Sequence, residues 1–211
     1  MGKYFSKEQW KYLFYTVTHP MDGYYWIRHQ EGRGSVPLAI LLVMLFSFSF
    51  TANRLLSSFV VNDIDPRGID SLMELVGVLV FYLLLCVSNW SVTCLMNGEG
   101  RMRDISIAIG YGTLPITIGL VIGTITSQIV ADDEQAFYFI IVGIGIAYGL
   151  MMILMGIMQV HNYTLAKTLI TLFLTIVALL IIVFLVLLLS NLVGMVFNFF
   201  KSIYTEIIYR T

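Results

Sequence analysis

Charge is what this sequence has least of. Asp, Glu, Lys and Arg make up 12% of its 211 residues, about half the roughly 25% of soluble domains. The charges present sum to -1, with no basic stripe to neutralise phosphates, which excludes nucleic acid as a partner. No Asp, Glu, Lys, Arg or His lies deep within any of the long apolar runs. A charge at mid-membrane costs roughly 2.5–3.5 kcal/mol on insertion scales and is kept where function demands it. Its absence argues against proton-coupled transporters, intramembrane proteases and voltage sensors.

Other chemistry is missing too. The two cysteines, Cys86 and Cys94, share one predicted helix. Eight residues at 1.5 Å each separate them by about 12 Å, beyond disulfide reach. His19, His29 and His161 are isolated and lack the spacing of metal ligands. Gly98, Gly100, Gly110 and Gly112 follow no soluble strand and precede no Gly-Lys-Ser/Thr, so they form no nucleotide loop. With no nucleophile–base pair and no metal set, the chain is not expected to be an enzyme or to need a cofactor. The first 34 residues have no continuous apolar core, so no secretory signal peptide is expected. The first span then acts as an uncleaved anchor.

What is present is apolar: 58% of residues, with a mean hydropathy of +0.86. The pattern predicts an all-α polytopic membrane protein with five transmembrane helices. They run over about Val36–Ala52, Leu72–Leu95, Ile105–Val130, Ala136–Gln159 and Thr168–Leu189. An amphipathic helix is expected at each end, which divides the chain into 1–34, a five-helix domain over 35–190, and 191–211. At the N-terminal end, Ser6 to Gln9 form a capping-box pattern. Trp10, Leu13, Phe14 and Val17 then make one apolar stripe with basic flanks, suited to a membrane interface, and His19-Pro20 ends it. Tyr24 to Ile27 add aromatics suited to the headgroup level. Beyond Ser190, Asn191 and Gly194, the stripe from Val196 to Ile208 reads as a helix that either continues the fifth span or lies on the lipid. Glu206 and Arg210 form a supporting i, i+4 pair.

Placing the N-terminus inside puts eight Lys and Arg on inner segments and four on outer ones, which predicts N-in and C-out. Gly119 and Gly123 in span three, extended by Ser127, and Gly145 and Gly149 in span four form small-residue faces that pair helices closely in lipid. Asn89 is expected to hydrogen-bond between helices. The row Thr168, Thr171, Thr175 offers either a polar stripe or hydroxyls bonded to their own helix. In the outer loop, Asp63, Asp65, Gly68 and Glu74 fill four positions of a calcium loop, but Arg67 occupies a ligand position and repels a cation. Ser71 to Glu74 also read as a capping box opening span two, so the loop reads as a solvated turn with a helix cap, a bound cation being the alternative.

The stretch from Asn97 to Pro115 organises the rest. A hairpin, Gly98-Glu99-Gly100 with Arg101 and Arg103, leads into a span opening with Tyr111-Gly112-Thr113-Leu114-Pro115. Pro115 is expected to kink that span. This stretch resembles the Yip1-domain family of five-span membrane proteins. His19-Pro20-Met21-Asp22-Gly23, the aromatics after it and the Gly32-Arg33-Gly34 entry to span one resemble bacterial members. The resemblance implies a cytoplasmic N-terminus and no known catalytic activity. Eukaryotic relatives act in vesicle traffic and bind prenylated small GTPases. The Asp-Leu-Tyr-Gly-Pro motif of those relatives is absent, Asn89-Trp90-Ser91 being no match. Small GTPase binding is therefore not expected, and a bacterial plasma-membrane protein is the better reading.

The function expected is that of an accessory or scaffold protein docking on other integral membrane proteins within the lipid bilayer, with an ABC-type sugar transporter complex as a host. A small channel or transporter subunit moving a solute or lipid itself is the alternative. The residues expected to contact partners or to pack helices are Gly98, Glu99, Arg101, Arg103, Tyr111, Gly112, Pro115, Gly119, Gly123, Gly145 and Gly149.

Overall fold

A computed structural model describes residues 7–30, 32–62 and 64–209. Seven α-helices account for most of them: α1 (Lys7–Thr18), α2 (Pro20–His29), α3 (Val36–Leu56), α4 (Ser71–Leu95), α5 (Met102–Ser127), α6 (Gln135–His161) and α7 (Leu165–Tyr209). The described residues contain no strand. Helices α3 to α7 are each long and apolar enough to cross a membrane. Ser6, Asp63 and Arg210, on which the N-terminal cap, the first calcium-loop position and the Glu206 pair depend, lie outside the described residues.

Helix α5 is the axis of the bundle. It packs along α6 on one side and α3 on another, with α4 touching it more lightly. Of its membrane-length window 61% is buried, against 11% for α7. The glycines explain the tight pairing with α6. A Cβ on Gly145 would lie 2.9 Å from the Gly119 Cα, one on Gly149 2.7 Å from the Gly112 carbonyl oxygen, and one on Gly123 2.5 Å from Val142. Spans three and four are a close pair, as the small-residue faces predict. On the α3 side, a Cβ at Gly110 would meet the Ala39 Cβ at 2.7 Å. Helix α5 runs through Pro115 without ending.

The N-terminal helices form a hairpin against α5 and α6. Tyr148 of α6 donates its hydroxyl to the Val17 carbonyl at 2.6 Å, and Val17, Pro115, Gly119 and Gly145 border one apolar groove. The corner at Thr18–Pro20 therefore sits level with the middle of α5. From there α2 returns to the start of α5, where Arg28 meets Asp104. The expected apolar stripe of α1 is split by this packing: Leu13 is fully buried while Phe14 is exposed. The stretch after Pro20 is a helix in its own right, and Tyr24 and Ile27 are core residues, leaving Tyr25 and Trp26 outward.

At the other end of the bundle, the cap of α4 is Asp70 rather than Ser71. The Asp70 carboxylate accepts the Leu72 and Met73 amides at 3.1 Å each. Glu74 faces α3 instead, paired with Arg54 and accepting the Thr51 hydroxyl at 2.9 Å. Asp65 accepts the Arg67 amide at 2.9 Å in a local turn. Helix α7 packs chiefly on α4. Ser190, Asn191 and Gly194 interrupt its leucine run but not its backbone, which stays helical over 45 residues.

Candidate interaction site

Three connections meet at one end of the bundle: the α2–α3 link, the α4–α5 turn and the α6–α7 turn. The last two close in the same way. Asn97 and Asn162 both take left-handed backbone angles, φ 53° and 55°, which Asn tolerates better than most residues. The next amide in each case reaches back five residues: Gly98 to the Thr93 carbonyl at 2.8 Å and Tyr163 to that of Met158 at 2.9 Å. This bond satisfies carbonyls that a helix end leaves bare.

The two turns then lock together. The Tyr163 hydroxyl donates to the Met96 carbonyl at 3.1 Å. The Gly100 amide donates to His161 Nδ1 at 3.1 Å, and His161 stacks on Tyr163 with ring centroids 5.3 Å apart. Lys167 Nζ lies 3.9 Å from the Tyr163 ring centroid. Both glycines are required by space. A Cβ on Gly98 would stand 2.6 Å from His161 Nδ1, and one on Gly100 2.6 Å from Val160.

Charge joins the third connection. Asp104, in the first turn of α5, is 1% exposed. Its Oδ2 is 2.9 Å from Arg101 Nε and 3.8 Å from Arg28. Arg28 also reaches Glu99 at 3.6 Å, and the Glu99 side chain is 62% exposed. Arg103 donates to the Gly34 carbonyl at 2.9 Å, and the Ser35 amide donates to the Tyr111 hydroxyl at 3.3 Å. Asp104 Oδ1 and His161 Nε2 are buried and have no hydrogen-bond partner. Because Nδ1 accepts a bond, the neutral ring carries its proton on Nε2. The cluster thus holds one buried acceptor and one buried donor beyond those its own bonds use.

The predicted residues therefore fall into two groups. Gly98, Glu99, Arg101 and Arg103 belong to the polar cluster, where Glu99 and Arg101 present its outward face. Gly112, Pro115, Gly119, Gly123, Gly145 and Gly149 belong to the α5–α6 seam, about midway along the bundle. Tyr111 links the two: fully buried, it holds the entry to α3. Sequence reasoning missed Arg28, Asp104, His161 and Tyr163 as members of the cluster. An Asn at the end of each helix was the signal available, since it marks two similar turns.

Asp104 and His161 are enclosed by the arginines and glycines around them, and among the described residues no three His, Cys, Asp or Glu side chains gather as a metal would require. The row Thr168, Thr171, Thr175 is fully buried against α4. Each hydroxyl bonds a carbonyl one turn back, at 3.0, 2.8 and 2.8 Å. Asn89 donates to the Thr175 hydroxyl at 3.0 Å, crossing from α4 to α7.

Comparison with known proteins adds the family. The Yip1 domain model matches residues 14–200, most of the chain. No curated protein and no solved structure matches.

Proposed function

Because the chain belongs to the Yip1 domain family of membrane proteins, for which no enzymatic activity is known, we propose a non-enzymatic accessory or scaffold role. The protein associates with other integral membrane proteins, and an ABC-type sugar transporter complex is its host. We place it in the plasma membrane of a bacterium, with the N-terminus and the polar cluster on the cytoplasmic side. The excess of Lys and Arg on that side supports the orientation.

One observation carries the reading. Helix α7 has 45 residues, a length of about 67 Å, against a hydrocarbon core of about 30 Å. Beyond Leu179 none of its described residues is buried. An apolar helix longer than the bilayer, left unburied by its own chain over most of its length, suits the surface of a second membrane protein. The uncharged spans and the outward face of Glu99 and Arg101 fit the same role.

Purification of a tagged protein in mild detergent tests it. The permease subunits of an ABC-type importer are expected to co-elute with the full chain and to be lost when the chain ends at Leu189. A protein that elutes alone, under conditions that keep a known transporter assembled, overturns the proposal. A transport unit would need a polar route, and the threonine row is committed to the α4–α7 contact.

A further inference from the structure

The open end of the α1–α2 hairpin borders a solvent-open cavity of about 650 Å³. Lys11, Tyr12 and Tyr15 contribute from α1, Trp26 from α2, and Arg33 from the link into α3, with Glu8 at the rim. Arg33 is held in place by two rings: its Cζ lies 5.2 Å from the Tyr12 centroid and 5.0 Å from that of Trp26. Tyr12 is itself fixed, since its hydroxyl donates to the Gly23 carbonyl at 2.9 Å. Among the described residues no carboxylate oxygen comes within 4.0 Å of a side-chain nitrogen of Lys11 or Arg33. The guanidinium is thus positioned by aromatic faces and by the Tyr12 hydroxyl, to which it donates, with its remaining donors left for a ligand.

Charge, depth and wall chemistry together define the occupant. Among the described lining residues, Lys11 and Arg33 supply two positive charges against the one negative charge of Glu8, a balance that one phosphodiester neutralises. Glu8 disfavours headgroups with several negative charges. Arg33 precedes the first apolar helix, Val36–Leu56, by three residues, so the cavity lies where the chain enters the bilayer. Tyr15 and Trp26 are half exposed at its edge, as aromatics at the headgroup level are. We propose that this cavity binds the phosphodiester headgroup of an anionic phospholipid, with Arg33 and Lys11 on the phosphate and the aromatic rings against its glycerol. A water-soluble phosphate shares the charge but gains nothing from the aromatic walls.

Native mass spectrometry of the full-length protein, titrated with phosphatidylglycerol, phosphatidylcholine of the same acyl chains, or glycerol 3-phosphate, tests the proposal. One phosphatidylglycerol is expected to be retained in preference to phosphatidylcholine. Arg33→Gln and Lys11→Gln should each lower its affinity by about fivefold, and Lys7→Gln, on the same helix but outside the cavity, should leave it unchanged. Should Arg33→Gln fail to fold, Lys11→Gln, an exposed position, carries the test. Equal retention of the two lipids, an undiminished preference in Lys11→Gln, an equal loss in Lys7→Gln, or glycerol 3-phosphate binding as tightly as phosphatidylglycerol would each overturn it.

Discussion

Gly100 and His161 lie in different turns, 61 positions apart, and meet through a 3.1 Å bond from the Gly100 amide to Nδ1. The bond leaves no room for a side chain on Gly100, because the ring and Val160 occupy that space. The α4–α5 turn is therefore shaped to fit the end of α6. The cluster's charged groups, Arg28, Glu99, Arg101, Arg103 and Asp104, are gathered around that fit.

Gly100→Ala should move the turn off His161 and lower stability by about 1–3 kcal/mol, the range of overpacking in a filled core. His161→Ala should cost a similar amount, since it leaves the Gly100 amide without a partner. The two losses should fall short of additivity when combined, because each removes the same contact. Thermal midpoints of the detergent-solubilised protein measure all three.

Asp104 and Glu99 make a paired test of burial. Asp104→Ala removes the buried acceptor of Arg101 and leaves Arg28, whose side chain is 20% exposed, with Glu99 alone; it should destabilise by about 1–3 kcal/mol. Glu99→Gln removes an exposed carboxylate 3.6 Å from Arg28 and should change stability by about 0–1 kcal/mol. Chemical or thermal unfolding separates the two. Equal losses would show that the Asp104 pairing is no stronger than a surface contact.

Much of the fold was legible in the sequence because the bilayer imposes it: helices without charge must cross, and glycines four apart must face something. The Gly119–Gly145 approach follows from those rules. Two features did not. Helix α2 is one, because Tyr24 to Ile27 read only as aromatics of the headgroup level; it closes on α1 through Gly23, where a Cβ would strike the Thr16 Cα at 2.6 Å. The cluster is hidden because Arg28, Asp104 and His161 sit on three separate helices, α2, α5 and α6, and no local pattern states that their ends converge. Glu74 reads as a cap residue because Ser71 precedes it by three positions, whereas Asp70 performs that role and Arg54 draws Glu74 across to α3.

The α5–α6 seam has an internal control. A Cβ on Gly145 would meet the Gly119 Cα at 2.9 Å and the Pro115 carbonyl at 3.0 Å, whereas nothing lies within 4 Å of one on Gly143. Gly145→Ala should push the helices apart and lower the thermal midpoint. Gly143→Ala, two residues away on the open side of the same helix, should be neutral or stabilising, as alanine is the better helix former. Equal effects would mean that close approach at Gly145 contributes nothing to packing.

The contact between α4 and α7 rests on Asn89, whose amide donates to Thr175 at 3.0 Å. Single interhelical bonds of this kind average about 0.6 kcal/mol in a membrane. Asn89→Leu and Thr175→Val should therefore each cause only a small loss of stability, with a double-mutant coupling of about that size. Thr171→Val and Thr168→Val test the same helix face for another purpose. Their hydroxyls bond the carbonyls of Lys167 and Thr164, so valine should alter stability slightly and leave solute flux in reconstituted liposomes at the level of empty vesicles. Flux that is present in the wild type and lost in these two variants would turn the threonine row from a packing seam into a conduction path, and the scaffold role would give way to a transport one.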